Sequence, residues 1–274
     1  MLKTTPQLIR PAAQAGRFYP GSPTRLQADV NGYLEQVAPA EGPVPKAVVA
    51  PHAGYVYSGP IAASAFVRLA PAHARLRRVV LLGPSHYEDF EGLAATAADA
   101  FATPLGLVPV DSEAIERALD LPQVKVFDRA HTPEHCLEVE LPFLQTVLDE
   151  FTIVPLLVGH ADPAEVGEVL DALWDGEETC VVVSSDLSHY LDAESARRVD
   201  RATARAIEAL RGEALDGRCA CGCRAIAGLL CVARTRGMRV ATLDLRNSGD
   251  TAGPADRVVG YGAFAFFEPV PSTR

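Results

Sequence analysis

The sequence predicts a single-domain α/β protein with a central, mostly parallel sheet flanked by helices. Three observations carry that expectation. Short apolar runs at 46–50, 78–82, 151–158 and 179–183 have the length of strands buried on both faces. Between them lie segments with helical periodicity or helix-boundary residues, the alternation that builds parallel sheets. Finally, 274 residues at 48% hydrophobic and 22% charged suit one sizeable core.

Each element follows in order. Residues 1–21, with prolines and the run from Arg10 to Pro20, read as an extended N-terminal arm. Ser22 can cap the next helix, whose Leu26, Val30 and Leu34 are spaced four apart on one face. Gly42 and Pro43 break the chain before the strand 46–50. A helix over 58–69 places Pro60 in its first turn, and the strand 78–82 follows. Pro142 would remove a donor from a helix interior, so that helix starts near Glu140 and leaves 135–138 in a loop. The strand 151–158, a helix over 163–174 and the strand 179–183 come next. Helices over 192–210 and 224–236 and strands over 238–245 and 257–267 close the chain. There is no internal repeat, low-complexity stretch or linker, so 1–274 reads as one domain.

The formal net charge of −10, without a long Lys/Arg run, argues against nucleic acid as a partner. Arg75, Arg77 and Arg78 read as a solvated helix-to-strand connection. No apolar run approaches the roughly 18 residues that span a bilayer, so a membrane is not expected. The first twenty residues lack the apolar core of a secretory signal, which predicts a cytoplasmic protein. In that compartment thiols stay reduced, and the six cysteines are ligands, nucleophiles or small core residues.

Three strands run into similar sequences: Ala50 into Pro51-His52-Ala53-Gly54-Tyr55, Leu82 into Gly83-Pro84-Ser85-His86, and Val183 into Ser184-Ser185-Asp186-Leu187-Ser188-His189. In parallel α/β sheets the ligand crevice lies beyond the carboxyl ends of the strands. Three imidazoles delivered there can converge on one transition-metal ion, for which neutral imidazole is the commonest protein ligand. Gly54 and Gly83 would allow tight turns and leave room for the ligand.

Cys219-Ala220-Cys221-Gly222-Cys223 adds thiolate donors, and one of the three as a ligand fits better than all three. Cys136, Cys180 and Cys231 read as small core residues. In Pro133-Glu134-His135-Cys136-Leu137-Glu138-Val139-Glu140, a His beside carboxylates suits acid–base work or orientation of a metal ligand; a solvated acidic turn is the alternative. His73, His131 and His160 read as surface residues. G-x-G-x-x-G, Walker A, G-x-S-x-G and H-E-x-x-H patterns are absent, which disfavours the usual nucleotide sites and hydrolase elbows.

Taken together, these residues resemble the Memo family, whose prokaryotic group is called AmmeMemoRadiSam system protein B. The resemblance starts at Ala15-Gly16-Arg17-Phe18-Tyr19-Pro20 and runs through Pro51-His52-Ala53-Gly54-Tyr55 and Tyr57-Ser58-Gly59. Further matches are Gly83-Pro84-Ser85-His86, Thr103-Pro104-Leu105-Gly106, Glu134-His135 with Glu138, and Leu141-Pro142-Phe143. Ser184 to Tyr190, Cys221-Gly222 and Asn247-Ser248-Gly249-Asp250 complete it.

The resemblance implies a fold similar to that of class III extradiol ring-opening dioxygenases (LigB-like), which use non-haem Fe(II). It implies His52, His86 and Cys221 as metal ligands, His189 as the counterpart of the catalytic base, and Asp186 and His135 in the same pocket. Cys221 stands where the dioxygenases place a carboxylate, so ring opening does not follow from the fold. The group's name implies a radical-SAM-system protein as a partner.

Three functions follow from these readings. One is an Fe(II)-dependent, dioxygenase-like oxidoreductase acting on an unnamed small molecule or peptide. Another is a non-catalytic metal-binding partner protein. The third is a Zn-dependent hydrolase, and Cu also suits a His₂Cys donor set.

Overall fold

The computed structural model describes residues 7–269. The chain begins with β1 (Ile9–Arg10), α1 (Pro23–Glu35), β2 (Ala47–Ala50) and α2 (Tyr55–Phe66). Next come β3 (Arg78–Pro84), β4 (Leu93–Ala95), β5 (Ala100–Thr103) and β6 (Gly106–Pro109). They lead to α3 (Ser112–Leu119), β7 (Val124–Val126), the short α4 (Asp128–His131) and α5 (Leu141–Val147). β8 (Thr152–Val158), α6 (Pro163–Ala172), β9 (Thr179–Ser184) and β10 (His189–Leu191) follow. The last elements are α7 (Ala193–Glu208), α8 (Cys223–Thr235), β11 (Arg239–Asn247) and β12 (Val258–Phe267).

Among the described residues the main sheet has nine strands in the order β10-β12-β2-β9-β3-β8-β4-β7, with β11 paired to β12. Its centre is parallel: β2, β9, β3 and β8 all run one way. Its flanks are not. β12 is antiparallel to β2, β10 and β11, and β4 is antiparallel to β8. The sheet is therefore mixed, with parallel pairing among its four central strands and again between β4 and β7.

Both faces of that centre are covered, which explains the uninterrupted apolar runs. Val48, Val79, Leu81 and Val182 pack with Leu26 and Val30 of α1, Phe66 of α2 and Phe143 of α5. The alternate residues Val49, Val80, Leu82 and Val183 pack with Val166 of α6, Ile207 of α7 and Leu229 of α8. Successive strand residues point to opposite faces, so a strand covered on both sides must be apolar throughout.

Several local expectations change. α2 begins at Tyr55 rather than 58, so Pro60 lies inside the helix, where it cannot donate to the preceding turn. Ser22 occupies the cap position of α1, but its side chain makes no capping bond. The N-terminal arm is extended only at β1, which joins β5 and β6 in a separate three-stranded sheet; a turn over 14–19 follows. Residues 1–6 of the predicted arm lie outside the described residues.

Arg78 is also not a solvated connector. Its guanidinium is mostly buried and pairs with Asp111 at 2.6 Å and Asp175 at 2.5 Å. His131, expected at the surface, is buried with Nε2 2.9 Å from the Ala94 carbonyl, and Cys231 is only half-buried. No helix of the described residues is long and apolar enough to cross a membrane.

Candidate metal centre

The parallel centre decides where the chemistry gathers. β2, β9 and β3 are neighbours, and their carboxyl ends lie on one edge. Two residues past each end stand His52, Asp186 and His86 respectively. The equivalent position on β9 is thus the carboxylate Asp186. His189 lies further along, at the start of β10.

The third imidazole of the cluster is His135. Ligand atoms of His52, His86 and His135 all lie within 4.8 Å of one another. Ring centroids are 5.1 Å apart for His52 and His86, 5.3 Å for His52 and His135, and 4.5 Å for His86 and His135. Cys221 joins on the His52 side, with Sγ 3.3 Å from His52 Nε2. His52 is buried, His135 half-buried and His86 exposed, so the cluster opens to solvent past His86.

Local structure explains these placements. His135 comes from the segment between α4 and a 3₁₀ turn at Glu138–Glu140, held beside β3 by Cys136. Cys136 Sγ donates to the Pro84 carbonyl at 3.1 Å and fills the space beside Gly83, where a Cβ would sit 2.6 Å from that sulfur. Gly83 therefore admits a side chain rather than a ligand. Gly54 has an ordinary φ of −56° and no neighbour closer than 3.5 Å to a Cβ, so the tight turn expected there is not required. At Gly222 a Cβ would meet Ser185 Cβ at 2.7 Å, so only glycine lets the start of α8 bring Cys221 against the end of β9.

Two imidazoles are oriented through Nδ1. His86 Nδ1 lies 2.9 Å from Glu134 Oε1, and the His86 backbone N–H donates to Oε2 at 2.7 Å. Glu134 also accepts the backbone N–H groups of His135 and Cys136, at 2.9 and 3.1 Å. His52 Nδ1 lies 2.8 Å from Ser184 Oγ, and its backbone N–H donates to Asp186 Oδ1 at 2.8 Å. With Nδ1 occupied in both rings, Nε2 is the free nitrogen. His135 Nδ1 is 3.1 Å from Glu134 Oε1 but out of line for a hydrogen bond, and it has no partner.

The electrostatics favour a cation. Burial pushes His52 well below the usual histidine range, and repulsion from His86 and His135 adds to this, so the ring is neutral. Burial alone would raise Glu134, but the His135 and His86 rings beside it, with the backbone N–H groups it accepts, outweigh burial and keep the carboxylate ionised. Burial, with the neighbouring Asp186 charge, pushes the Cys221 thiol up to about 12. Asp186 is itself raised by burial, against the opposing charge of His189.

The residues present fit a borderline transition-metal ion. They offer the neutral His52 imidazole, a His86 Nε2 left open by the contact of Nδ1 with Glu134, a buried His135 nitrogen without a partner, and a sulfur beside His52. A second grouping of His86, Glu134 and Cys136 adds no independent site, because Glu134 and Cys136 already serve backbone partners. The three cysteines of the C-x-C-x-C run divide as follows: Cys221 faces His52, Cys219 Sγ donates to the Asp216 carbonyl, and Cys223 opens α8.

His189 lies outside the three imidazoles that meet within 4.8 Å, though its charge reaches His52 and Asp186. Its Nδ1 donates to the Leu187 carbonyl at 2.8 Å, and its ring lines an open pocket of about 820 Å³ with Leu191, Thr203 and Cys219. Tyr190 beside it has a φ of 62°, in the left-handed region that a bulky residue rarely adopts. Ser184 and Glu140 are the site residues that sequence reasoning missed. A serine and a glutamate in apolar runs were the signal: both are buried polar groups that need partners.

A model of the Memo-like protein family matches residues 10–265. The chain belongs to the Memo family. Among curated relatives of this Memo-family chain, a MEMO1 family protein of Aquifex aeolicus is 35% identical over 94% of this chain and 99% of its own length. One from Nitrosopumilus maritimus is 32% identical over 94% and 100%, and one from Archaeoglobus fulgidus 35% over 92% and 97%. The Memo match thus includes every residue of the candidate site, from His52 to Cys221.

Proposed function

We propose that this Memo-family protein holds one transition-metal ion, Fe(II), through His52, His86 and Cys221, with His135 beside them, and acts as a non-haem oxidoreductase. One observation carries the reading: imidazoles from separate segments meet within 4.8 Å, and two of them are turned by buried partners so that Nε2 is free. Bound Fe(II) would supply coordination positions for O₂ and for a substrate.

The chain's own groups supply the rest. Glu134 and Ser184 fix the imidazole orientations. His189 is the proton acceptor: its Nδ1–H is committed to Leu187, which leaves Nε2 as the basic nitrogen beside the pocket. Asp186 anchors the His52 backbone and lies close enough to His189 to feel its charge.

Metal analysis after anaerobic purification, followed by O₂ uptake with a panel of catechols and other small phenols, tests this. Iron at one per chain with O₂ consumption supports it. Zinc as the tightly held metal, or stoichiometric iron with no turnover on any substrate, overturns the oxidoreductase assignment.

A further inference from the structure

We propose that Glu140 is a positioning residue for His52: it keeps its own proton, donates it to Ser184, and so locks His52 in the Nδ1–H form with Nε2 free. The consequence for metal binding rests on the metal-centre reading above; the hydrogen-bond arrangement does not.

The argument is a count of protons around one hydroxyl. Ser184 Oγ has three partners: His52 Nδ1 at 2.8 Å, the Cys136 carbonyl at 2.7 Å and Glu140 Oε1 at 2.6 Å. Relative exposure is 0% for Ser184 and 1% for both Glu140 and His52, so each polar group must be satisfied from within. A serine hydroxyl has one proton to give and two lone pairs to receive with. The Cys136 carbonyl can only accept. An ionised Glu140 could also only accept, and one hydroxyl proton would then face two acceptors. One buried oxygen would be left unpaired at contact distance, at a cost of about 1–3 kcal/mol or more.

A protonated Glu140 closes the count. The carboxyl donates to Oγ, Nδ1–H of His52 donates to the other lone pair, and the hydroxyl donates to Cys136. Every group is then paired once. The opposite His52 tautomer would need the hydroxyl proton for Nδ1, which strips the Cys136 carbonyl of its donor and puts N–H on the nitrogen facing Cys221. Glu140 thereby decides which His52 nitrogen is available. The electrostatic setting agrees: burial pushes the carboxyl well above the usual range and outweighs the opposing contact with Ser184, and repulsion from Asp186 adds to the rise. Glu140 differs in this from Glu134, which is ionised and acts on His86 directly.

Glu140→Gln, Glu140→Leu and Ser184→Ala test the proposal. The readouts are ¹⁵N NMR of histidine-labelled, metal-free protein, which reports the His52 tautomer, and competitive titration with Zn(II) and anaerobic Fe(II). The glutamine amide can donate to Ser184 as the carboxyl does, so Glu140→Gln should keep both the Nδ1–H tautomer and wild-type affinity. Glu140→Leu should show mixed tautomers and lose about 10–100-fold in affinity, the usual worth of a group that orients a metal ligand.

A folded Glu140→Leu with the wild-type tautomer and affinity overturns the proposal. So does a folded Glu140→Gln that behaves like Glu140→Leu, since an ionised carboxylate would then be what matters. If Glu140→Leu does not fold, Ser184→Ala decides by the same two readouts: mixed tautomers support the relay, and an unchanged His52 overturns it. Wild type that binds neither metal overturns the metal-centre reading, while the tautomer comparison still judges Glu140.

Discussion

Cys221 Sγ and His52 Nε2 lie 3.3 Å apart although 169 positions separate them in sequence. The thiol is held protonated by burial and by the Asp186 charge, so the short contact is an S–H facing a nitrogen lone pair. A cation that replaces that proton gains both donors at once. Ligand sets that survive without the ion are usually preorganised in this way.

Removal of these donors should show in metal content. His52→Ala, His86→Ala and Cys221→Ala should each weaken binding by more than the roughly 10–100-fold that an outer partner is worth. Cys136→Ala should leave occupancy unchanged and cost only roughly 1–3 kcal/mol of packing and hydrogen bonding. Occupancy at limiting metal, equal in wild type and all three ligand variants, would sink the ligand assignment.

His189 separates a catalyst from a binding protein. It lies outside the cluster of three imidazoles and lines its own pocket. His189→Gln should therefore keep metal bound, while O₂-dependent turnover falls by roughly 10²–10⁴-fold, the range for loss of a general acid–base group. Loss of metal as complete as in His52→Ala would instead make His189 a ligand.

His131 gives a pH signature unrelated to the site. Burial lowers it to about 4, against the Ala94 carbonyl bond, whereas its ordinary value is 6.5. The folded value is depressed, so this histidine's contribution is fully present above pH 6.5 and is lost as pH falls towards 4. His131→Gln can still donate to Ala94 without titrating. The stability of wild type relative to that variant should fall by roughly 3 kcal/mol between pH 7 and pH 4. Urea unfolding at both pH values checks this; a difference independent of pH would contradict it.

The N-terminal arm should prove to be a structural clamp. Arg10 pairs with Glu138, both fully or almost fully buried, and Glu138 also accepts the backbone N–H groups of Ala13 and Gln14 at 2.9 Å and the Tyr19 hydroxyl. Arg10→Met removes the only guanidinium that pairs with this carboxylate among the described residues and leaves a buried charge behind. The expected loss is about 3–5 kcal/mol in chemical unfolding. A loss under 1 kcal/mol would mean that the pair carries little.

Legibility in the sequence tracked how local each signal was. β2, β3, β8 and β9 were readable because residues buried on both faces form continuous apolar runs. β4, β5, β6 and β7 are three or four residues long, too short for a periodic pattern to stand out. Of the site, His52 and His86 were legible because each follows such a strand directly. His135 was legible only as a histidine among acids, and its partner Glu134 as one acid of several.

By itself the sequence determined the fold class, the family and the strand ends at which the chemistry sits, because strand burial and ordered motifs are written in contiguous residues. Tertiary structure alone decided which side chains meet. It placed His135 rather than His189 with His52 and His86, chose Cys221 from its run, and set Glu140 behind Ser184. Those choices depend on the order of strands in the sheet and on loops packed against distant elements. A buried polar group must find its partner across that packing, and neither periodicity nor spacing along the chain records where the partner lies.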